Sequence, residues 1–495
     1  MIQVFANLYD HYSVELKIQF LTRKKLKHND FEVNTWFFIP NSIDINRSTY
    51  SKEQFYSDVQ STIRLVTPIY LLNDIAGELN SPLTNLAKSI EKMLNENTRT
   101  SFKHYEYELQ IFLAIFKSAT RDTIAHITDN SMKEDTEFLC HSYLQNMKVI
   151  RNKFRLLQKL INAPVVSSKA FELFLFGDEF LSNCIIQNTF ALNNYLEKWD
   201  AKRFESIIQS NLKLIKKEWA HKEQKGYLII SNTDEQANQR YIFRQSILDK
   251  YVESVLSVNA NTKRDGVWTE QIYYSLAAGI SMVFATGIAF SFQQKYGNFT
   301  MPLFVALVVS YMLKDRIKDL MRYYFAGKLS NKHFDHNTTL SLKEEKIGNI
   351  KESMDFITDL KVPKSIMKIR NRTSLVELEN RIHDEKILLY RKRVTIDRDK
   401  LDITNDYIFK GINDIIQFNF TRMIQRMANP KTPLFTLNKE DDGSEKTSKI
   451  YSTKIYYINF IMQIKHQDDF YYKRFRITCS KHGIHHIEEL KDFAV

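Results

Sequence analysis

Cysteine is nearly missing from these 495 residues: three occur, Cys140, Cys184 and Cys479. They are too few and too far apart for a disulfide framework or a thiolate metal site, which agrees with buried, inert thiols in a reducing compartment. Glycine is scarce as well, with 12 residues in all, few for a nucleotide-binding chain. No glycine-rich phosphate loop, His-Glu-x-x-His helix or nucleophile elbow is present, so the usual enzyme signatures are missing. The first residues, MIQVFANLYDHYS, lack a charged segment followed by an apolar stretch and a small-residue cleavage site, and no secretory signal is expected. Internal repeats and long low-complexity tracts are also absent.

Charge is missing from one stretch in particular. Ile272–Phe292 (IYYSLAAGISMVFATGIAFSF) has no charged side chain over 21 residues, which as a helix matches a hydrocarbon core of roughly 30 Å. A break at 293–298 is followed by a second apolar run, Phe299–Leu313, with Pro302 tolerated in its first turn. At 15 residues this run covers only about 22 Å, so it spans a bilayer only with Lys314 and Arg316 snorkelling. Two spanning helices are the expectation; the alternative is a buried core helix. Trp268, Tyr273 and Tyr274 at one end, and Tyr296 and Phe299 at the other, suit the membrane interface, as do Lys314 and Arg316.

Ala277, Ser281, Ala285 and Ala289 recur every four positions, with Gly279 and Gly287 alongside. Such a stripe lets another helix approach closely, either the second run or a second subunit. Neither run holds Asp, Glu, His, Lys or Arg, which argues against an ion pathway within one subunit and for an anchor. Basic residues cluster after the second run, and Lys263 and Arg264 precede the first. Both large flanks, and so both termini, are therefore expected in the cytoplasm.

The net charge of +12 is unevenly placed: residues 1–270 hold 34 basic and 32 acidic side chains, residues 314–495 hold 35 and 26. Attraction to anionic lipid accounts for part of this membrane-proximal excess, and nucleic acid is not the expected partner. The segment Gly297-Asn298-Phe299-Thr300 together with Tyr311-Met312-Leu313-Lys314-Asp315-Arg316 resembles a group of uncharacterised bacterial two-span inner-membrane proteins. The resemblance covers about the last 230 residues and implies an inner-membrane location but no transferable activity.

Taken in order, Tyr12–Leu21 and Phe31–Pro40 alternate and read as a β-hairpin. Val59, Ile63 and Val66 read as the start of a helix that stops at Thr67-Pro68. Ser81-Pro82 caps a helix to about Asn95. Helices follow over roughly Ser101–Thr128, Lys133–Ile161, Ser168–Tyr195, Ala201–Lys225 and Asp234–Val258, and the charged Leu214–Lys225 reads as a solvated helix end. Lys314–Phe325 is amphipathic and extends the second membrane helix. Further on, VTIDRD within Lys386–Leu401 is strand-like, and Lys454–Lys465 pairs with Phe470–Thr478 as a hairpin. Tyr472, Arg474, Arg476 and Thr478 give that hairpin a polar, cationic face. Ile412–Met427 fits either helix or strand, and Asn438–Ser448 is a polar loop.

The fold class expected is an α+β membrane protein. Residues 1–50 form a β-hairpin packed on a cytoplasmic helical domain (51–265), followed by a transmembrane helical hairpin with an amphipathic extension (268–326) and a cytoplasmic β-rich domain (334–495).

Several weaker constellations could carry chemistry. Asp397, Asp399 and Lys400, with Glu385 and Lys386 nearby, resemble the carboxylates and lysine that hold a metal over a phosphodiester, although strand-end surface charge is commoner. Cys479, His482, His485 and His486 have ligand-like spacing on one arm only, and Lys481-His482-Gly483 reads as a turn. His333, Asp335 and His336 fit a polar helix exit as well as they fit a cation. No metal or cofactor is expected. On the long N-terminal helix Lys117 and Arg121 are i,i+4 neighbours among apolar residues and need an anion or a carboxylate opposite. The function expected is a membrane-anchored scaffold or sensor, non-enzymatic and oligomeric, bound to lipid and to a cytoplasmic protein. The alternatives are a pore assembled from hairpins and an enzyme acting on phosphodiesters or lipid headgroups.

Overall fold

The computed structural model describes residues 2–490, apart from 24, 78–80, 97, 131, 163–167, 298–299, 331–333, 344, 374–376, 379–384, 404–406, 429–430, 440–444 and 468. The chain opens with β1 (Gln3–Leu8), β2 (Ser13–Leu21) and β3 (His28–Ile39). Helix α1 (Lys52–Asp58) then starts at a capping box between Ser51 and Gln54 and runs directly into β4 (Val59–Leu65). Helices follow: α2 (Leu72–Ala76), α3 (Pro82–Asn95), α4 (Arg99–Asp129), α5 (Lys133–Leu156), α6 (Gln158–Ile161), α7 (Ser168–Asp200), α8 (Glu205–Lys225) and α9 (Glu235–Glu253). After β5 (Asn259–Arg264) come α10 (Val267–Tyr296) and α11 (Met301–Ser330). The remaining elements are β6 (His336–Leu342), β7 (Glu345–Ile357), α12 (Lys364–Arg370), β8 (Lys386–Asp397), β9 (Gly411–Asn419), β10 (Lys431–Lys439), β11 (Glu445–Thr453), β12 (Tyr456–His466), β13 (Asp469–Ser480) and β14 (Gly483–Glu489).

The chain is thus an α+β protein, and it divides into two units. One gathers Met1–Arg64, Val258–Asp406 and Gly411–Val495; the other consists of Leu65–Ser257 with Tyr407–Lys410. In the first unit an eight-stranded sheet has the order β14-β13-β12-β3-β8-β7-β6-β5, and a four-stranded sheet has the order β1-β2-β9-β4. Alternation along the strands puts Phe37 and Phe460 on the inner face of the larger sheet, where Phe37 meets Phe418 of the smaller one at 5.0 Å between ring centroids. On the opposite face of the larger sheet α12 covers an apolar patch, with Ile366 and Ile369 packed on Trp36, Phe38, Ile387 and Ile461.

Three expectations are corrected here. Tyr12–Leu21 and Phe31–Pro40 do not pair with each other: β2 lies between β1 and β9, whereas β3 is inserted between β12 and β8 of the other sheet. The N-terminal strands therefore belong to the same two sheets as the C-terminal strands. Val59–Leu65 is a strand and not a helix, because β-branched Val59, Thr62 and Ile63 suit the edge of the four-stranded sheet, where Ser61 bonds Asp414 of β9 at 2.6 Å.

The third correction concerns the spans. Among the described residues only α10 is long and apolar enough to cross a membrane by length and composition. Helix α11 is equally long, but Lys314, Asp315, Arg316, Lys318, Asp319 and Arg322 occupy it from the middle onward, so it does not qualify as a second span by itself.

The helical unit follows the sequence closely. Ser81 Oγ accepts from the Thr84 amide at 3.2 Å and caps α3 as expected. Phe112, Phe154 and Phe174 from α4, α5 and α7 stack in series, 5.5 and 4.8 Å apart. A Cβ added at Gly177 would sit 3.1 Å from Leu109 Cδ1, so the glycine lets α7 approach α4 closely. Ile412–Met427 contains both options left open: β9, then a short helix over Thr421–Gln425. The polar segment expected as a loop at 438–448 is partly strand, since Lys439 ends β10 and Glu445 opens β11; 440–444 lie outside the described residues.

Candidate functional site

Helices α10 and α11 pack antiparallel. Ser310 Oγ lies 3.2 Å from the Ala285 carbonyl oxygen and donates to it, Tyr273 stacks near Phe325 at 5.1 Å, and Arg322 sits over the Tyr274 ring at 5.4 Å. This register lays the charged second half of α11 beside the first part of the apolar run of α10, and the two apolar stretches coincide only toward the turn between the helices. Ala277 and Ser281 are fully buried against α11, so the small-residue stripe serves the partner helix of the same chain at these positions. Gly279 and Gly287 have open space around them, and Ala285 and Ala289 are half-buried.

The remaining faces of both helices are apolar and uncovered. Val283 and Phe290 are each 71% exposed, and Ile272, Phe304 and Val305 are more than half exposed. Trp268 stands free beside them, and Lys314 rests over the Tyr311 ring at 4.7 Å. A core helix of a water-soluble protein would bury such side chains; a contiguous apolar surface of this size needs lipid or another protein.

A second arrangement lies inside the helical unit. Glu218 of α8, with no exposed surface, accepts from Arg151 at 3.2 Å, from Arg155 at 2.6 Å and from Ser182 at 3.0 Å. Arg155 also donates to Asp178 at 2.9 Å, and the other Asp178 oxygen meets His221 Nε2 at 2.7 Å and the Tyr227 hydroxyl at 3.2 Å. Burial opposes ionisation of Asp178, but His221 and Arg155 outweigh it and hold the carboxyl below the usual range. Lys222, 2% exposed, donates to Asn183 Oδ1 at 2.6 Å and lies over the Tyr241 ring at 4.8 Å. Burial outweighs the attraction of Glu179 and Glu218 and lowers its pKa to about 8.

Leu214–Lys225 is therefore not a solvated helix end. Leu214, Ile215, Glu218 and Lys222 face inward, and the i, i+1, i+4, i+8 spacing of these residues was the available signal. The histidine is oriented as in a general-base pair, yet among the described residues no serine or cysteine is hydrogen-bonded to it, so the network tethers α5, α7 and α8 and has no visible reacting group.

Lys117 and Arg121 are brought together at a cavity of about 250 Å³ that Asn183, Gln187 and Asp249 also line. Lys117 is held there by Asp249 at 2.5 Å and Glu253 at 2.9 Å, so the carboxylates it needs come from α9; Arg121 pairs with the adjacent Asp122. Asp397, Asp399 and Lys400 lie together at the end of β8. Asp397 ends β8 opposite His28 and accepts weakly from the Lys400 amide, and Asp399, exposed, lies 4.0 Å from Lys27.

The ligand-like spacings resolve into structure. Cys479 is buried with its thiol pushed up to about 12 by burial, and His485 and His486 contact Ser480 and Thr478. Asp335 ties Lys52 at 2.7 Å, Tyr56 at 3.0 Å and the Met354 amide at 2.9 Å, and His336 packs on Tyr56; His333 lies outside the described residues. Among the described residues no group of three or more His, Cys, Asp or Glu is placed to hold a metal.

One buried charge group escaped the sequence reading. Lys392 of β8 points between the two sheets, where it pairs with Asp414 and, at 3.1 Å, with Glu352. Alternation puts Lys392 on the same strand face as Tyr390 and Val394, and that was the only clue. No family model, curated protein or solved structure matches this chain, so its function has to be argued from its own residues.

Proposed function

We propose that the protein is a membrane-anchored scaffold or sensor, non-enzymatic and oligomeric, held in the bacterial inner membrane by the α10–α11 pair with both flanks cytoplasmic. The observation that carries this reading is the uncovered apolar surface of α10, which water does not tolerate and lipid does. Helix α11 enters as the companion of α10, not as a span in its own right. Its first half, apolar as far as Leu313, follows α10 into the hydrocarbon, and Lys314 and Arg316 reach back to the headgroups. The last turn of α10 carries Gln293, Gln294 and Lys295, which favours the far headgroup layer over the bilayer centre. The bacterial location rests on the family resemblance, and the cytoplasmic side on the basic flanks.

The Lys117 and Asp397 constellations give catalysis no comparable support, and the cytoplasmic units serve lipid, a second copy and a protein partner. The test is alkaline carbonate extraction of membranes from cells expressing the whole chain. The account expects it to stay in the pellet and to leave only with detergent; a chain released by carbonate, or monodisperse without detergent, contradicts it.

A further inference from the structure

We infer that Arg474, Arg370 and Arg476 form a binding site for a phosphate group on the face of the eight-stranded sheet that α12 partly covers. The ladder sets the positions: Ile461 of β12 stands between Trp36 and Arg474, and in the parallel row Asn459 stands between Phe38 and Arg476. Arg474 and Arg476 are therefore adjacent on one strand face. Arg370, from the last turn of α12, lies over the Phe38 ring at 5.5 Å and so joins the same rows.

Arg474 is 5% exposed, and its Nε is buried without a hydrogen-bond partner; the Nε of Arg370 and Oδ1 of Asn459 are in the same condition. The nearby carboxylates are already engaged. Glu385 is shared by Arg370 at 2.7 Å and Arg372 at 2.9 Å, Asp359 is held by Arg372 at 2.7 Å, and Glu488 faces Arg476 at 3.5 Å. Among the described residues none pairs with Arg474. Burial, reinforced by repulsion from Arg370 and Arg476, pushes its pKa down to about 10.

A guanidinium kept almost dry among like charges weakens the fold unless something supplies the missing negative charge. Guanidiniums gathered on one sheet face, with Arg476 also over the Tyr457 ring at 5.5 Å, suit the several oxygens and double charge of a phosphate better than a single carboxylate. Two sources fit that chemistry: a soluble phosphate compound and a lipid headgroup.

The inference does not rest on the membrane reading, and its test runs on the whole chain in neutral detergent. Pyrophosphate is titrated while the melting midpoint is followed. The wild-type midpoint rises by roughly 2 °C near saturation. Arg474→Met loses the rise while its own midpoint holds or increases, because an unpaired buried charge has been removed. Arg476→Gln, a half-exposed change that the sheet tolerates, weakens binding by about tenfold.

No rise in the wild type, or an equal rise in Arg474→Met, overturns the site. A rise that appears only once residues 491–495 are deleted also overturns it, since Asp492 or the terminal carboxylate would then be the natural occupant. The two sources separate in phosphatidylcholine nanodiscs. Phosphatidic acid that abolishes the pyrophosphate response of the wild type assigns the site to a lipid headgroup; a response that persists assigns it to a soluble phosphate.

Discussion

Two buried lysines show how strongly a single position depends on its neighbours. Burial works against the charge of Lys392, but Asp414 and Glu352 outweigh it and hold its pKa above the ordinary lysine value. Burial works against Lys222 too, and there the more distant Glu179 and Glu218 do not make up for it, so its pKa falls to about 8. The folded pKa of Lys222 lies below its unfolded value of 10.5. The unfolded chain then binds more protons between those values, and stability increases as pH rises from about 8 toward 10.5. Lys222→Met is expected to remove up to roughly 3 kcal/mol of that pH-dependent gain, read as the difference between urea-unfolding free energies of variant and wild type at pH 7.5 and pH 10.

Neither lysine was legible as buried. Composition marks lysine as a surface residue, and only the inward spacing of Glu218 and Lys222 hinted otherwise. Lys117 was legible in part: a like-charged pair on an apolar helix needed an anion or a carboxylate opposite, and for Lys117 the structure places Asp249 and Glu253 there.

At the level of elements, local signals worked where the element needs only its own neighbourhood. The Ser81 cap, the long helices α4 and α7 and the β12–β13 hairpin stand close to where period and turn residues put them, and Ile458, Phe460, Met462 and Ile464 are buried together as alternation required. The turn at Lys481-His482-Gly483 was likewise expected, but its tertiary role was not. Gly483 has φ +133°, and a Cβ there would lie 2.6 Å from the His11 carbonyl oxygen, which already accepts from the Ile484 amide at 2.7 Å. Gly483→Ala should therefore destabilise the chain by about 1–3 kcal/mol, through both the backbone conformation and the lost approach of the β1–β2 turn to β14. A thermal melt beside Lys481→Ala, which leaves the backbone free, separates this effect from a loss of side-chain contacts.

For the whole molecule, what could not be read was the pairing of distant segments. Strand β3 is flanked by β12 and β8, so segments hundreds of residues apart close one sheet; alternation says that a strand has a buried face, and nothing about who lies beside it. The register of α10 against α11 was hidden for the same reason, and it matters more, because it sets the charged half of α11 beside part of the apolar run.

That register makes the depth of insertion the point on which the functional account turns. The most direct test places a cysteine at Gln294, in the last turn of α10, of a chain whose own three cysteines are buried. A membrane-impermeant thiol reagent is then applied to intact spheroplasts and to inverted vesicles. The account predicts labelling from the periplasmic side in spheroplasts and none in sealed inverted vesicles. Labelling from the cytoplasmic side alone, or equally from both, would contradict it.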